Sequence, residues 1–122
     1  MAPQVDEAAT RARESFNATV LVCSEGGYLY DVIDGEHGDD SACRPESDLR
    51  HLARPSWSST NPRWRAVFDV VRERLVTPVG LRSLAPGHRD YKAQYYGDLR
   101  ARDAAYHQGT VWAWLVGPYV DA

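Results

Sequence analysis

A group of imidazole, amide and aromatic side chains lies near the end of the sequence. Its members fall within nine positions: Tyr106, His107, Gln108, Gly109, Trp112 and Trp114. Imidazole and amide groups can hydrogen-bond sugar hydroxyls, and flat indole faces can pack on the C–H surface of a pyranose. The pattern is typical of a carbohydrate subsite at a glycine-hinged helix start. The alternative, which the residue types favour on their own, is a capped helix whose tryptophans lie in the core.

A second polar group is a set of carboxylates in a loop interrupted by glycines: Asp31, Asp34, Glu36, Asp39 and Asp40. Such loops can hold calcium, but this spacing lacks the alternating ligands and final glutamate of an EF-hand. The prediction is therefore a solvated acidic loop. Asp31 differs because it follows the aromatic residues of GYLYDV, where a carboxylate could hydrogen-bond a sugar.

The remaining candidates for chemistry are few. Cys23 and Cys43 show no CxxC or Cys/His zinc pattern and are predicted to be ordinary thiols. His88 stands alone among charged residues that are expected to form exposed ion pairs. The sequence contains no GxSxG, P-loop, GxGxxG or HExxH pattern. It predicts neither a metal nor a cofactor.

The composition excludes several classes of partner. The 122 residues are 43% hydrophobic and 25% charged, with a formal net charge of −3. A pI near 5.7 with scattered arginines does not fit a nucleic-acid binder. No stretch reaches the roughly 18 apolar residues of a membrane helix, and the N-terminus lacks the apolar core of a signal peptide. We therefore expect a cytoplasmic protein that binds neither nucleic acid nor membrane.

Helical spacing of apolar residues predicts the elements that position these groups. Residues 5–16 form a helix whose buried stripe is Val5, Ala8, Ala9, Ala12 and Phe16. Residues 24–41 are predicted to form a loop with one short strand at YLYDV. A second helix begins at Asn61 and Pro62 and ends by Thr77, because Pro78 disfavours helix in the residue before it.

The other segments are less regular. Residues 46–60 predict a weak helix followed by a loop, and residues 77–109 predict a long irregular stretch rich in glycine and tyrosine. The final segment, TVWAWLVGPYVDA, is apolar almost all round, which is typical of a helix buried inside a larger assembly. We therefore expect residues 1–122 to be a fragment of a larger domain.

Three strings carry a family resemblance across nearly the whole chain: RESFN…EGGYLYDVIDGEHGDD…RP, RWRAVFDVVRERLVTPVGLRSLAPGHRDY and YYGDLRARDAAYHQGTVWAWLVGPYVDA. Together they resemble the C-terminal amylo-α-1,6-glucosidase domain of bacterial-type glycogen debranching enzymes. The resemblance implies an all-α fold, an incomplete (α/α)6 toroid with about four helices and long loops. It also implies hydrolysis, with inversion, of α-1,6-linked glucose stubs on glycogen or limit dextrin.

The resemblance assigns substrate contact but no catalytic group. The general acid of the family lies in a Trp-Met-Asp motif that this chain lacks. Eukaryotic relatives carry Pro-Glu between HQG and the tryptophan, with the glutamate as the base, and those two positions are Thr110 and Val111 here. The identity of the catalytic residues therefore stays unknown. Position by position, the resemblance places six residues at the substrate: Tyr30, Asp31, Arg44, His107, Gln108 and Trp112.

Two segments differ from the family in the way that a shifted reading frame would produce. Relatives continue Arg-Pro as Asn-Gln-hydrophobic-Phe-Ala-Ile-Ser-Leu, and plausible codons for that string, shifted by one base, translate to the Ser-Asp-Leu-Arg-His-Leu-Ala-Arg of residues 47–54. A similar shift of Arg-Phe-Trp-Tyr gives residues 19–22 and opens the codon for Cys23. Two compensated frameshifts therefore predict poor packing of residues 46–60, and resequencing tests them.

Three functional hypotheses follow. The first is a C-terminal fragment of an α-1,6-glucosidase that is inactive alone because the general-acid segment is absent. The second is a non-catalytic glucan-binding module built on the aromatic residues. In the third, a separately encoded N-terminal part of the same enzyme complements the chain.

Overall fold

The chain combines helices with two small antiparallel sheets. The computed structural model describes residues 2–19, 27–52 and 62–122. In chain order its elements are α1 (Ala2–Thr19), β1 (Val32–Gly35), β2 (Gly38–Asp40), α2 (Pro45–Leu52), α3 (Pro62–Arg74), β3 (Val76–Thr77), β4 (Gly80–Arg82), α4 (Leu99–Ala105), β5 (Val111–Trp112), a 3-10 turn (Ala113–Leu115) and α5 (Val116–Asp121).

The expectation of an all-α chain forming part of an (α/α)6 toroid is wrong. The described residues form five α-helices together with strands in the order β1-β2 and β3-β4-β5. The strands span two to four residues each, too few for an alternating pattern to show in the sequence. The pairing of β4 with β5 also joins segments about thirty residues apart, which no local pattern predicts.

Helix α3 and the hairpin that follows it form one side of the fold. The predicted stripe of α3 is confirmed, because Trp64, Val67 and Val71 are buried. The helix ends at Arg74, three residues before the predicted limit, and Val76–Thr77 instead pairs with β4 in the register Val76 to Leu81 and Thr77 to Gly80. Pro78 in the turn prevents the helix from continuing.

The core lies between α2, α3 and the three-stranded sheet. Its buried members are Tyr28, Leu29, Cys43, Leu49, Trp64, Val67, Val71, Leu75, Leu81, Ala85 and Leu115. Each large side chain of this kind contributes about 1.5–3 kcal/mol when it leaves water. Residues 30–31 and 44, which flank core members, are therefore fixed by the residues beside them.

The described part of the segment with the proposed frameshift packs on this core. The weak helix predicted from residue 46 is confirmed as α2. The poor packing predicted for residues 46–60 is not seen where the side chains are described, because Leu49 is buried. One feature of α2 is unusual, because Asp48 is also fully buried. Residues 53–60, and the other affected residues 20–23 including Cys23, lie outside the described residues.

The N-terminal helix buries less than its pattern predicts. α1 covers the predicted range, but its side chains from Val5 to Glu14 are exposed, and only Phe16 of the predicted stripe packs against the core. A stripe made mostly of alanines offers little apolar area, which explains why the rest of the stripe stays in water.

The acidic loop and the C-terminal segment both differ from the prediction. Residues 32–40 form the hairpin β1–β2, with Val32 opposite Asp40 and Gly35 opposite Gly38. The C-terminal segment is not one buried helix but β5, a 3-10 turn and α5, with Leu115 buried and Trp114 and Val120 exposed. Strand pairing of Val111–Trp112 with β4 takes these residues out of a helix.

Candidate functional site

Arg44 connects the segments that carry the predicted site residues. Its Nε donates to Asp31 Oδ2 at 2.8 Å, and its Nη2 donates to Gln108 Oε1 at 3.2 Å. Its Nη1 donates to the carbonyl oxygens of His107 at 2.5 Å and Ser83 at 3.3 Å. Four of the five N–H groups of the guanidinium are therefore in use. Arg44 brings together residues that lie as many as 64 positions apart.

The carboxylate of Asp31 is held from two sides. Arg44 binds one oxygen, and the Ser47 hydroxyl donates to the other at 2.9 Å. Both side chains of the ion pair are largely buried, at 17% and 21% exposure. A charge-assisted pair in such surroundings is stronger than an exposed one. Asp31 is therefore fixed relative to α2, on which Ser47 lies.

A turn after α4 presents His107 and Gln108. The Ser83 hydroxyl, fully buried, accepts from the Gly109 N–H at 3.0 Å and donates to the Tyr106 carbonyl at 3.5 Å. The Ser83 N–H donates to the Thr110 carbonyl at 3.0 Å. Because Ser83 follows β4 directly, the turn takes its position from the sheet.

Within this turn, Gln108 and His107 face different partners. Gln108 Oε1 accepts from Arg44, so the side-chain Nε2 is the end that remains to meet a ligand. The His107 imidazole is 67% exposed, with Nδ1 4.0 Å from Glu46 Oε1. The turn thus offers an oriented amide donor next to a solvent-facing imidazole.

An aromatic corner, defined as Tyr95, Tyr106 and Trp112, lies beside the turn. The ring centroids of Tyr106 and Trp112 are 4.6 Å apart with a tilt of 49°, and Tyr95 lies 6.2 Å from each at steeper angles. The Trp112 indole N–H donates to the Tyr106 carbonyl at 3.0 Å. Trp112 can therefore offer a ligand its ring but not its N–H.

The structure thus brings Asp31, Arg44, His107 and Gln108 together, and Trp112 lies next to Tyr106. Tyr30 precedes Asp31 and is half-buried against the core. The assignment of all six residues to substrate contact stays a prediction. Two positioning residues, Ser47 and Ser83, did not follow from the sequence, because serine at a helix start or strand end is common and has no distinctive spacing.

A buried acid and thiol lie behind the site. The Asp48 carboxyl accepts from the Leu29 N–H at 3.1 Å and from the Cys43 thiol at 3.8 Å. Burial raises the pKa of Asp48 to about 7, against the lowering effect of the Leu29 hydrogen bond. Burial, with a smaller contribution from Asp48, raises the pKa of Cys43 to about 12, so the thiol keeps its proton at neutral pH. Asp48 thereby ties the strand segment before Tyr30 to α2.

We expect Gly109→Ala to destabilise the fold more than Gly87→Ala, by about 2 kcal/mol. Both glycines have positive φ, +127° and +100°, so both alanines carry backbone strain. An alanine Cβ at 109 would also lie 2.6 Å from the Lys92 carbonyl oxygen and from the Tyr91 ring. Urea unfolding of the two variants measures the difference. Equal losses would show that the turn can move away from Tyr91.

The described residues contain neither a metal-binding cluster nor a membrane-spanning helix. They contain no group of three or more His, Cys, Asp or Glu side chains that could hold a metal ion. Within the same part of the chain, no helix is both long and apolar enough to cross a membrane.

Comparison with known proteins identifies the family of the chain. No solved structure matches the chain. A family model described as amylo-alpha-1,6-glucosidase matches residues 2–122. That family comprises glycoside hydrolases of glycogen debranching. The match covers all but the first residue, and the chain therefore belongs to the amylo-alpha-1,6-glucosidase family.

Proposed function

We propose that this chain forms the substrate-contact part of an α-1,6-glucosidase that removes glucose stubs at glycogen branch points. The proposal rests on the cluster around Arg44, which we call the Arg44 site: Asp31, Arg44, His107 and Gln108. These residues come from segments that are distant in the sequence, and the hydrogen bonds of Arg44 join them. An oriented amide, an imidazole and adjacent aromatic rings suit a neutral sugar.

The charge balance of the Arg44 site also favours an uncharged ligand. The Arg44 guanidinium is paired with the Asp31 carboxylate at 2.8 Å. Binding of a phosphorylated sugar requires a cation with unused donors. Since four donors of Arg44 are already in use, the site is better suited to hydroxyl groups than to phosphate.

We further propose that the 122 residues do not hydrolyse the bond alone. An inverting glycosidase needs a carboxylic acid for the leaving oxygen and a carboxylate for water, about 6.5–9.5 Å apart. Both oxygens of Asp31 accept hydrogen bonds, from Arg44 and Ser47, and Asp48 is fully buried. Neither carboxyl is placed to exchange protons with a bound glucan. Because the general acid of the family lies in a Trp-Met-Asp motif that the sequence lacks, we assign the catalytic pair to other parts of the enzyme, such as a separately encoded N-terminal part.

Gln108→Ala is expected to weaken binding of isomaltose, the α-1,6-linked glucose disaccharide, by about tenfold. The variant removes the amide donor, and one hydrogen bond to a ligand contributes about 0.5–1.5 kcal/mol. Calorimetric titration of the full chain measures the dissociation constant, with Gln94→Ala, in the exposed part of the loop, as the matched control. An isomaltose affinity that Gln108→Ala leaves unchanged would contradict the assignment.

A separate assay tests the absence of catalysis. The purified chain is incubated with phosphorylase limit dextrin, and released glucose is measured against a blank without protein. We expect no release above the blank. Glucose release by the chain alone, lost in the Gln108→Ala variant, would show that the catalytic pair lies within these residues.

The aromatic corner favours a second candidate function, a non-catalytic glucan-binding module. Tyr95 and Tyr106 remain exposed beside the Arg44 site, as in a surface that binds sugar without transforming it. The two functions differ in linkage preference. A module of this kind would bind maltose as tightly as isomaltose, whereas a debranching site would prefer isomaltose.

A further inference from the structure

The aromatic corner has an exposed surface that the Arg44 site does not use. Tyr95 is 46% and Tyr106 is 42% exposed, although each packs against two or more other rings. Large aromatic side chains left this open beside a polar site often mark a binding surface. Nothing in the substrate-contact assignment of Tyr30, Asp31, Arg44, His107, Gln108 and Trp112 accounts for Tyr95.

The corner is continuous with the Arg44 site through the backbone. Tyr106 directly precedes His107, and its ring lies 4.9 Å from the imidazole. Its carbonyl accepts from Trp112 and from Ser83, so the backbone between the Tyr106 ring and the His107–Gln108 pair is held in place. Because Gln108 and Tyr106 are two residues apart in this turn, a ligand at the Gln108 amide that is longer by one sugar can reach the Tyr106 ring.

The shape and chemistry of the corner suit a second pyranose. The rings are inclined by 49–68° to one another, so they form an angle rather than one flat stack. A pyranose has an apolar C–H face that packs on a ring and hydroxyls that stay in water or meet a polar neighbour. The exposed His107 imidazole is such a neighbour.

We propose that Tyr95 and Tyr106 form a second subsite, which binds the main-chain glucose that is α-1,4-linked to the branch-point glucose. The inference rests on the proposed function of the Arg44 site and adds to it a preference for chain length. The Arg44 site binds the two α-1,6-linked glucoses, and contact of a third glucose with the aromatic corner increases the affinity. A free disaccharide leaves the corner empty, whereas a trisaccharide occupies it.

The test compares isomaltose with panose, which carries one further α-1,4-linked glucose. For the parent chain we expect panose to bind about five- to tenfold more tightly, the effect of one ring–sugar contact. Tyr95→Ala should abolish this gain and leave the isomaltose affinity unchanged. Tyr95→Phe should retain the gain because the ring is kept, and circular dichroism confirms that each variant folds.

Tyr96→Ala is the matched control, since Tyr96 is the next residue and is 80% exposed. It should keep the full panose gain. Equal affinity of the parent for both sugars, equal losses in Tyr95→Ala and Tyr96→Ala, or a loss in Tyr95→Phe as large as in Tyr95→Ala would each overturn the second subsite. Failure of the parent to bind either sugar would instead overturn the proposed function, and the subsite with it.

Discussion

Asp48→Asn is expected to raise the free energy of unfolding at pH 8 by an amount on the order of 4 kcal/mol. Burial raises the pKa of the folded carboxyl to about 7, against 3.8 as the ordinary value. Between these pH values the folded protein holds a proton that the unfolded chain has lost, so stability falls as pH rises from about 4 to about 7. Asparagine keeps an oxygen for the Leu29 N–H without a charge.

The pH dependence isolates this effect from other carboxylates. Urea unfolding at several pH values should show that the difference between variant and parent grows from about pH 4 to about pH 7 and is constant above. Asp103→Asn, on the exposed face of α4, should leave the parent's profile unchanged. A variant profile parallel to that of the parent would show that the Asp48 carboxyl has the same pKa in the folded and the unfolded chain, so that burial does not raise it.

Arg44→Met is expected to lower the free energy of unfolding by about 3 kcal/mol. The largely buried Asp31 carboxylate would lose its charged partner, and two carbonyls would lose a donor. Removal of one partner from a buried pair costs more than the pair contributes, because the other charge stays buried. Isomaltose binding should be lost too, since Gln108 would no longer be held. Urea unfolding and calorimetry measure the two effects.

Arg65→Met provides the matched comparison. Arg65 also binds a carboxylate, that of Asp69 at 3.3 Å, but its side chain is 78% exposed. An exposed pair one turn apart contributes only about 0.3–0.5 kcal/mol. The loss in Arg44→Met should therefore exceed the loss in Arg65→Met several-fold. Similar losses would mean that water screens the Arg44 pair as it does the surface pair.

The sequence predicted the long amphipathic helix well because its pattern is repeated over several turns. Trp64, Val67, Val71 and Leu75 recur at helical spacing and are buried in the structure. The short strands did not follow from the sequence, since Val76–Thr77 and Val111–Trp112 are too brief for alternation to appear. The apolar C-terminal segment therefore predicts a helix, although part of it pairs with β4 in the structure.

Asp48 illustrates a second limit. An acid in a polar segment is expected in water, because ionised groups are rarely buried. Here Leu49, the next residue, packs in the core, and the first turn of α2 places Asp48 against Leu29 and Cys43. Asp48 is buried because the segment that contains Leu29, which is distant in the sequence, packs against it.

For the site, the family resemblance predicts which residues contact the substrate but not the hydrogen bonds between them. His107, Gln108 and Arg44 were assigned to substrate contact alike, yet most Arg44 donors bind protein oxygens. The role of Arg44 as a link between segments depends on the turn after α4 meeting the end of β4. That meeting requires the buried Ser83 hydroxyl, whose partners lie more than twenty residues away.

The pairing of β4 with β5 also sets when the site forms during folding. Helix α3 and the hairpin β3–β4 involve contacts between near neighbours, with a two-residue turn between the strands. β5 reaches β4 only after the intervening loop closes, and such distant contacts form more slowly than local ones. We therefore expect the Ser83-held turn to be among the last parts to form. A glucan bound at this turn would therefore lower the unfolding rate of the whole chain.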